Sequence, residues 1–511
     1  MEGTLLASLQ AAASPIFVFF LTLLLLKWYL YLHFKDYPSS KQSQPPSPPR
    51  VPILGNLHQV GLYPHRSFES LAKRYGPLML FHWGRAPVFI VSSAKVAEDI
   101  LKTHDLGFSN RLESIISRKV MYDTNDLIMA RHGEYWKLVR GLCATQLMSS
   151  ARVQSQQRVR DEETTLMVER IKRFESSPFN LNTEIQKVSI DVMCRAAFGR
   201  KVDGEEATNQ RQFDKILKEL NGLLGVFNIE EYVPWLGWIN YFNGLNMRIE
   251  RGCHDIDQFL ENIVNGQLER EHDHHGRIGV EKLLLDVLLD AQNDDGSKIT
   301  RASVKGILLD MFGGGIDSTY AAMEWTMTEL LRHPEMLEKV QREVREIVGD
   351  KKQISIHDLN KMSYLKASIK EALRLHPPFP VIPRVSGAEA VDVQGYTIPP
   401  KTRILINIWA IGRDSASWVN PNEFKPERFL LESEQVYGFN WMPFGGGRRG
   451  CPGVSFGTVL VEHVLACLLL NFNWSLPEGA TSADINIDEF VTMVLHRMHP
   501  LVVVATPHNN S

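Results

Sequence analysis

The sequence predicts a mainly α-helical domain with a small β part, preceded by one N-terminal transmembrane helix. Three observations predict it. Apolar residues recur at helical spacing through most of the chain, whereas period-two alternation is confined to short stretches. One long apolar run lies close to the N-terminus. Beyond residue 57 there is no second linker, no internal repeat and no low-complexity run. The 511 residues therefore do not divide at about 150 per domain, and nothing resembles a regular β-α-β succession.

Composition narrows the class. Charged residues are 23% and hydrophobic ones 44%, which excludes a disordered chain and a polytopic membrane protein. A formal net charge of -3 gives no global electrostatic case for nucleic acid. The cysteines at 143, 194, 253, 451 and 467 form no C-x-x-C pair, and their number is odd. That argues against a secreted disulfide scaffold and for reduced thiols facing the cytosol.

Residues 1–34 read as the anchor. Ala11 to Leu26 is interrupted only by Ser14, Pro15 and Thr22, and Trp28 to Leu32 extend it. A single span needs about 20 mostly apolar residues. A cleaved signal peptide would carry a basic segment before the run, where only Glu2 is charged. It would also place small residues after the run, where Lys27-Trp28-Tyr29 stands. The cations Lys27, Lys35, Lys41 and Arg50 all follow the span, so the positive-inside rule puts the body in the cytosol. The sequons at Asn473 and Asn509 then stay unglycosylated. Residues 35–56 form a Pro-rich hinge, with prolines at 45, 46, 48, 49 and 52. Such density favours a stiff extended spacer.

Residues 57–511 form the globular domain. Helices are predicted near 66–75, 93–103, 133–148, 151–173, 180–198, 209–224, 250–271, 281–292, 302–332, 334–348 and 363–375. Strands are predicted at Leu78–Phe81, Val88–Val91 and Ile404–Asn407.

Two helices carry unusual features. Gly313-Gly314-Gly315 interrupts the long apolar helix that ends before Pro334, and Asp317, Ser318 and Thr319 follow it. Each interior glycine costs roughly 1 kcal/mol relative to alanine. Tight helix packing would explain one glycine. Three beside an acid and two hydroxyls point to a site where a ligand nears the backbone or the helix opens. The second helix, Val454 to Leu470, starts after Gly450-Cys451-Pro452-Gly453. Cys451 thus sits at a helix N-terminus, where the dipole and free amides stabilise a thiolate. The loop Phe444 to Gly450 is too rich in Gly and Arg for core packing. It suits a backbone pressed against a flat ligand bearing anionic groups.

Three motifs overlap there. Gly445 to Gly450 matches G-x-G-x-x-G, but no buried strand precedes it as a dinucleotide site requires. Gly453-Val454-Ser455-Phe456-Gly457 matches G-x-S-x-G, and Ser455, Asp484 or Asp488, and His496 follow the order of a serine hydrolase. The alternating strands and helices of that fold are missing from the pattern. The third reading is Phe444, Gly447, Arg449, Cys451 and Gly453 as F-x-x-G-x-R-x-C-x-G.

With this signature the chain resembles the cytochrome P-450 superfamily of haem-thiolate monooxygenases. Glu371 and Arg374 give E-x-x-R, Pro426 to Phe429 give P-E-R-F, and Trp136 and Arg140 give W-x-x-x-R. Gly314 to Ser318 fall on the oxygen-binding groove of the family. The anchor and hinge make the chain most similar to plant microsomal members of the 71 family. The resemblance implies the cytochrome P-450 fold and a haem-thiolate catalytic domain over 57–511.

Further roles follow from the resemblance. Cys451 is the implied iron ligand of haem b, favouring O–O cleavage. Trp136, Arg140, Gly315, Arg384, Phe444, Arg449 and Gly453 are the implied cofactor-binding residues, with the cations meeting the two haem carboxylates. Glu371, Arg374 and Arg428 are the implied structural charge network. Asp317 and Ser318 are the implied proton-delivery pair. The family usually has Thr where Ser318 stands, and Thr319 lies about 100° round the helix. A looser relay, giving dehydration, oxidative cyclisation or C–C cleavage in place of hydroxylation, is the alternative outcome.

The segment His376 to Arg384 is one residue shorter than is usual in plant relatives, and edges the implied substrate pocket. The other implied pocket segments are Arg111–Asn125, Leu223–Trp235 and Val491–Thr492, whose side chains suit an apolar substrate. Terpenoids, phenylpropanoids or coumarins, indolic compounds and aldoximes are the substrate classes considered. Electrons are expected from NADPH through a membrane-bound NADPH–cytochrome P-450 reductase, docking near Lys137 and Arg448. The expected location is the endoplasmic reticulum membrane, single-pass, with the domain in the cytosol. A non-catalytic haem carrier is the remaining alternative.

Overall fold

The computed structural model describes residues 17–28, 44–201, 207–226, 228–273, 282–294, 296–351, 353–431 and 437–508. Most of the Pro-rich hinge's first half, both ends of the anchor run and the Asn509 sequon lie outside the described residues. Phe17–Trp28 is an apolar helix with its side chains exposed.

The chain forms α1 (Pro64–Tyr75), β1 (Leu78–Trp83), β2 (Ala86–Val91), α2 (Ile115–Val120), α3 (Glu134–Leu142), α4 (Gln157–Lys172), β3 (Phe179–Asn180) and α5 (Leu181–Phe198). Next come α6 (Ala207–Gly225), α7 (Leu245–Asp273), α8 (Leu284–Asn293), α9 (Arg301–Arg332), α10 (Pro334–Val348) and α11 (Ser363–Leu375). The last part holds β4 (Val381–Val385), β5 (Val391–Val393), β6 (Tyr396–Ile398), β7 (Arg403–Asn407), α12 (Val454–Asn471), β8 (Phe472–Ser475), β9 (Glu489–Val491), β10 (Leu495–Arg497) and β11 (Val502–Pro507).

The predicted mainly α architecture is what the chain adopts. Three predicted helices are shorter than expected. The 93–103 and 133–148 segments each end in a wide π-type turn, at Asp99–Thr103 and Cys143–Leu147. The 151–173 segment breaks at Gln156, whose ψ of 7° leaves the helical basin. By contrast α7 starts at Leu245, ahead of the expected 250, because Asn243 Oδ1 accepts the Leu245 N–H at 3.0 Å. The small helix α2 and the C-terminal strands β8 to β11 carry no periodic signal and are not among the predicted elements.

Helix α9 is the axis of the molecule. Thr300 and Ser303 form a reciprocal cap at its start, and Pro334 closes it by opening α10. Its N-terminal half packs with α6, α7 and α8, and its C-terminal half with α5, α11 and α12. Being buried on nearly every side, it has no polar face, which is why its sequence reads apolar all round. Trp325, fully buried, donates from Nε1 to Leu495 O at 2.9 Å and so ties β10 to the axis.

A four-stranded sheet of order β1-β2-β7-β4 flanks the helices. The β2–β7 pair is parallel and the others antiparallel, with Arg384 opposite Ile404. Among the described residues α12 is the one helix long and apolar enough to cross a membrane, and half of it is buried in the core. Phe17–Trp28 is apolar but shorter.

Candidate active site around Cys451

The loop before α12 is built by glycines. Gly445 and Gly447 have φ of +71° and +66°. A Cβ on Gly447 would lie 2.4 Å from Leu101 O and 2.5 Å from Asp105 Oδ1, so only glycine fits. The Cys451 N–H donates to Phe444 O at 2.9 Å, closing the loop. Arg448 is not a free surface cation: its Nε donates to Asp105 Oδ2 at 2.7 Å. Lys137 is exposed.

Cys451 has accessible surface, yet burial is the largest influence on its thiol and pushes its pKa up. The two facts agree if the sulfur opens into a recess rather than the outer surface. The Gly453 amide and the Arg140 cation pull the other way. Burial thus opposes the thiolate that the helix terminus favours. Ligation would secure it, because a metal-bound thiol is deprotonated outright.

Four guanidiniums, those of Arg111, Arg140, Arg384 and Arg449, cluster around the loop. Arg384 is buried, donates to Pro383 O at 2.9 Å and Gly446 O at 3.4 Å, and has its pKa lowered by burial and then by Arg111 and Arg449. Arg449 is lowered to about 9 by burial and by Arg111, with Arg140 adding to the effect. It bonds three carbonyls, Ser109 O, Leu127 O and Ala130 O, and stacks on Trp136 with its Cζ 4.3 Å from the ring centroid. Burial also lowers Arg140. Among the described residues none of these four makes an ion pair. Mutually repelling buried cations are costly unless anions meet them. Asp126 offsets part of this at Arg111 and Arg449, Asp310 at Arg111 and Asp105 at Arg384, yet Arg384 and Arg449 stay lowered. Two haem carboxylates would supply the further counter-charge, so the cluster fits a haem held at Cys451.

Trp136 differs from the expected role. Its Nε1 donates to Leu127 O at 3.1 Å, so its part is to seat Arg449 rather than to meet a carboxylate directly. Arg111, expected only as the edge of a pocket segment, and His132, not expected at all, belong to the same cluster. Arg111 bonds Ile128 O and Pro383 O, while His132 tilts over Trp136 at 5.3 Å. Neither lies in a motif, so only their folded neighbourhood identifies them.

Behind the loop, Glu371 and Arg374 pair by two parallel bonds of 2.7 and 2.8 Å, and Arg428 Nε reaches Glu371 Oε1 at 3.1 Å. Arg374 also donates to Gly412 O and Pro421 O. The three predicted network residues are thus brought together, and they fasten α11 to the segment before the Cys451 loop. Phe444 lies edge-on to Trp441 at 6.4 Å, and Gly453 forms the N-cap of α12.

The glycine run on α9 serves packing. A Cβ on Gly315 would meet Met193 Cε at 2.3 Å, and one on Gly313 would meet Leu220 Cδ2 at 3.2 Å. The helix is unbroken here, so the expected local opening is not seen. Ser318 Oγ donates to Gly314 O at 2.6 Å, and Thr319 Oγ1 to Gly315 O at 2.7 Å. Thr319 faces α12, with its Cγ2 3.5 Å from where a Gly457 Cβ would stand. Asp317 bonds Asn221 and His496.

Asn125 O lies 2.6 Å from a Cβ built on Gly306 of α9, and a Cβ built on Gly225 would lie 3.5 Å from Met493 N and from Thr492 C. The Val491 side chain is outside the described residues. The hydrolase arrangement is absent. Ser455 is exposed, Asp484 bonds Thr481, Asp488 bonds Asn486, and His496 is held by Asp317 and Glu324.

Comparison with known proteins agrees with this geometry. The family model described as Cytochrome P450 matches residues 45–503. Cytochrome P450 736A117 of Prunus mume is 45% identical over 98% of this chain and 96% of its own length. Cytochrome P450 71A25 of Arabidopsis thaliana is 44% identical over 96% and 98%. Norfluorocurarine oxidase of Strychnos sp is 39% identical over 97% and 99%. A solved zebra fish cytochrome P450 structure with abiraterone superposes with a TM-score of 0.73 at 25% identity, over 87% of this chain and all of that one. On this similarity, together with the loop and its cations, the chain belongs to the cytochrome P-450 family of haem-iron monooxygenases.

Proposed function

We propose that Cys451 is the axial thiolate of a haem b, and that the protein inserts one oxygen atom from O2 into a lipophilic small molecule of plant specialised metabolism. The observation that carries this is the cluster of Arg111, Arg140, Arg384 and Arg449 around the glycine-built Cys451 loop, whose cations repel one another. The bound haem supplies oxygen activation, with the thiolate pushing electron density toward the O–O bond.

The chain's own residues do the rest. Arg140, Arg384 and Arg449 receive the haem carboxylates, with Arg449 aimed by the Trp136 ring and three carbonyls. Phe444 and Gly453 flank the sulfur, and the Gly453 amide donates to it. Gly315 would be the α9 backbone position nearest the haem, as the family resemblance implies. Asp317 and Ser318 hold the protons needed at the distal oxygen. Electrons come from NADPH through NADPH–cytochrome P-450 reductase, with Lys137 and the half-exposed Arg448 at the docking face. Residues 1–34 anchor the chain in the endoplasmic reticulum membrane, and residues 35–56 set the domain on its cytosolic side. Substrate classes are the terpenoid, phenylpropanoid or coumarin, indolic and aldoxime types. Dehydration, oxidative cyclisation or C–C cleavage is the alternative outcome, because Ser318 Oγ is bonded to Gly314 O.

The test is spectroscopic first. Reduced, haem-loaded protein under carbon monoxide shows the red-shifted Soret band of thiolate ligation. Cys451→Ser loses that band and turnover, whereas Ser455→Ala keeps both. A folded, haem-loaded wild type without the band overturns ligation by Cys451. Incubation of anchored protein, reductase and NADPH with a plant metabolite extract then identifies the oxidised mass.

A further inference from the structure

His496 bridges two carboxylates of the axial helix. Its Nε2 lies 3.1 Å from Asp317 Oδ1, and its Nδ1 lies 3.4 Å from Glu324 Oε2. The acids are two helical turns apart on one face of α9. Tyr320, between them, stacks on the imidazole at 5.0 Å and 26°. An imidazole can donate to a carboxylate from each nitrogen only when both nitrogens carry protons. Asp317 Oδ2 is taken too, accepting the Asn221 N–H from α6 at 3.0 Å.

The surroundings support the charged form. Glu324 is fully buried, while His496 and Asp317 side chains keep 13% and 16% of their surface. From α5, Asn182 donates to Glu324 Oε1 at 2.5 Å. From β10 itself, the Arg497 amide donates to Glu324 Oε2 at 3.3 Å, and its guanidinium faces Glu324 and Tyr320, with Arg332 and Glu329 beyond. Burial works against the imidazolium, but the bonds to Asp317 and Glu324 outweigh it and raise its pKa to about 9.

We propose that His496 is a positioning residue for oxygen activation, fixing the Asp317 carboxylate on α9 and standing as a proton donor in contact with it. This rests on the reading of Asp317 as a member of the proton path. The step is a proton transfer alone. A proton leaves Nε2 for Asp317 Oδ1, and Asp317 passes one on toward the distal oxygen through Ser318 or water. His496 remains neutral with its Nδ1–H on Glu324, and recovers a proton from solvent at its exposed edge. Electrons and O2 are those of the monooxygenase itself.

The group's folded pKa stands above its ordinary 6.5. Its contribution is therefore complete below 6.5 and is lost as pH rises through about 9. The experiment uses full-length, haem-loaded protein with NADPH–cytochrome P-450 reductase and no organic substrate. The reading is the share of NADPH electrons released as hydrogen peroxide, two per O2, rather than as water, four per O2. In the wild type this share climbs as pH passes through 9. In His496→Gln it is already severalfold higher at pH 7 and is flat to pH 10, with the carbon monoxide band retained.

A flat wild-type profile overturns the proposal whatever the variant does, and so does a His496→Gln profile matching the wild type. Asp317→Asn, run alongside, separates the two readings. If it leaves the peroxide share unchanged, the Asp317 relay itself fails. If it leaks while His496→Gln does not, only the role of His496 fails. Thermal melts give a readout without turnover: the wild type melts above His496→Gln at pH 7, and the gap closes above pH 9. A gap constant from pH 7 to 10 overturns the ion pair.

Discussion

Arg374 holds Glu371 by two parallel hydrogen bonds, and neither side chain has any exposed surface. Because Arg374 and Arg428 share this one carboxylate, Glu371→Gln leaves two cations short of their counter-charge. Breaking a buried pair costs about 3–5 kcal/mol. The variant is expected to unfold at a correspondingly lower urea midpoint and to lose haem as a consequence, read by the carbon monoxide band after denaturant titration.

Two glycines with positive φ separate strain from collision. Gly447→Ala places a methyl against Leu101 O and Asp105, so the Cys451 loop must move. Gly438 has a φ of +46° but open space around it. Gly438→Ala is expected to cost about 1 kcal/mol, with the haem band intact. Gly447→Ala is expected to abolish the band. The pair is compared by thermal melting and carbon monoxide difference spectra.

Arg384 makes opposite predictions for the two forms of the protein. It is a buried cation lowered by its neighbours Arg111 and Arg449. Arg384→Met removes that repulsion, so apoprotein is expected to melt no lower than wild type. The same change removes a partner of a haem carboxylate, so haem is expected to leave the holoprotein faster. Haem transfer to an apo-globin acceptor measures the second effect.

Ser318 tests the proton path from the helix side. Ser318→Ala removes the hydroxyl that bonds Gly314 O and is expected to raise peroxide released per NADPH. Ser318→Thr keeps the hydroxyl and limits its rotamers. It is expected to leave peroxide release at or below the wild-type level.

His463 sits buried on α12 within 3.2 Å of Thr164 and Asp161. Burial, aided by Arg160, lowers its pKa from 6.5 to about 4. Stability tied to this neutral imidazole is present above pH 6.5 and is lost as pH falls toward 4. The difference amounts to on the order of 3 kcal/mol. His463→Gln is expected to show a flatter stability profile between pH 6.5 and 4, measured by urea unfolding at each pH.

Much of the centre was readable because its residues sit in short, dense patterns. The Phe444 to Gly453 loop, Glu371 with Arg374, and Trp136 with Arg140 each announce themselves within ten residues. What could not be read depends on distant partners. Gly315 is explained by Met193 on α5, and Asp317 is held by His496 on β10. His376 stacks flat on Trp325 at 3.8 Å and pairs with Glu329, a contact no spacing rule predicts. The strands β8 to β11 were illegible because they are short and partly exposed, leaving no run of alternation.

Helix α12 has the length and oiliness of a bilayer span, yet its middle carries Glu462 and His463. Its folding partners α4, α10 and α11 bury half of it. Charged residues at a span's centre are penalised by insertion at roughly 2.5–3.5 kcal/mol each. Glu462 and His463 are both buried on α12, so the polar middle of this apolar helix suits a protein core rather than lipid.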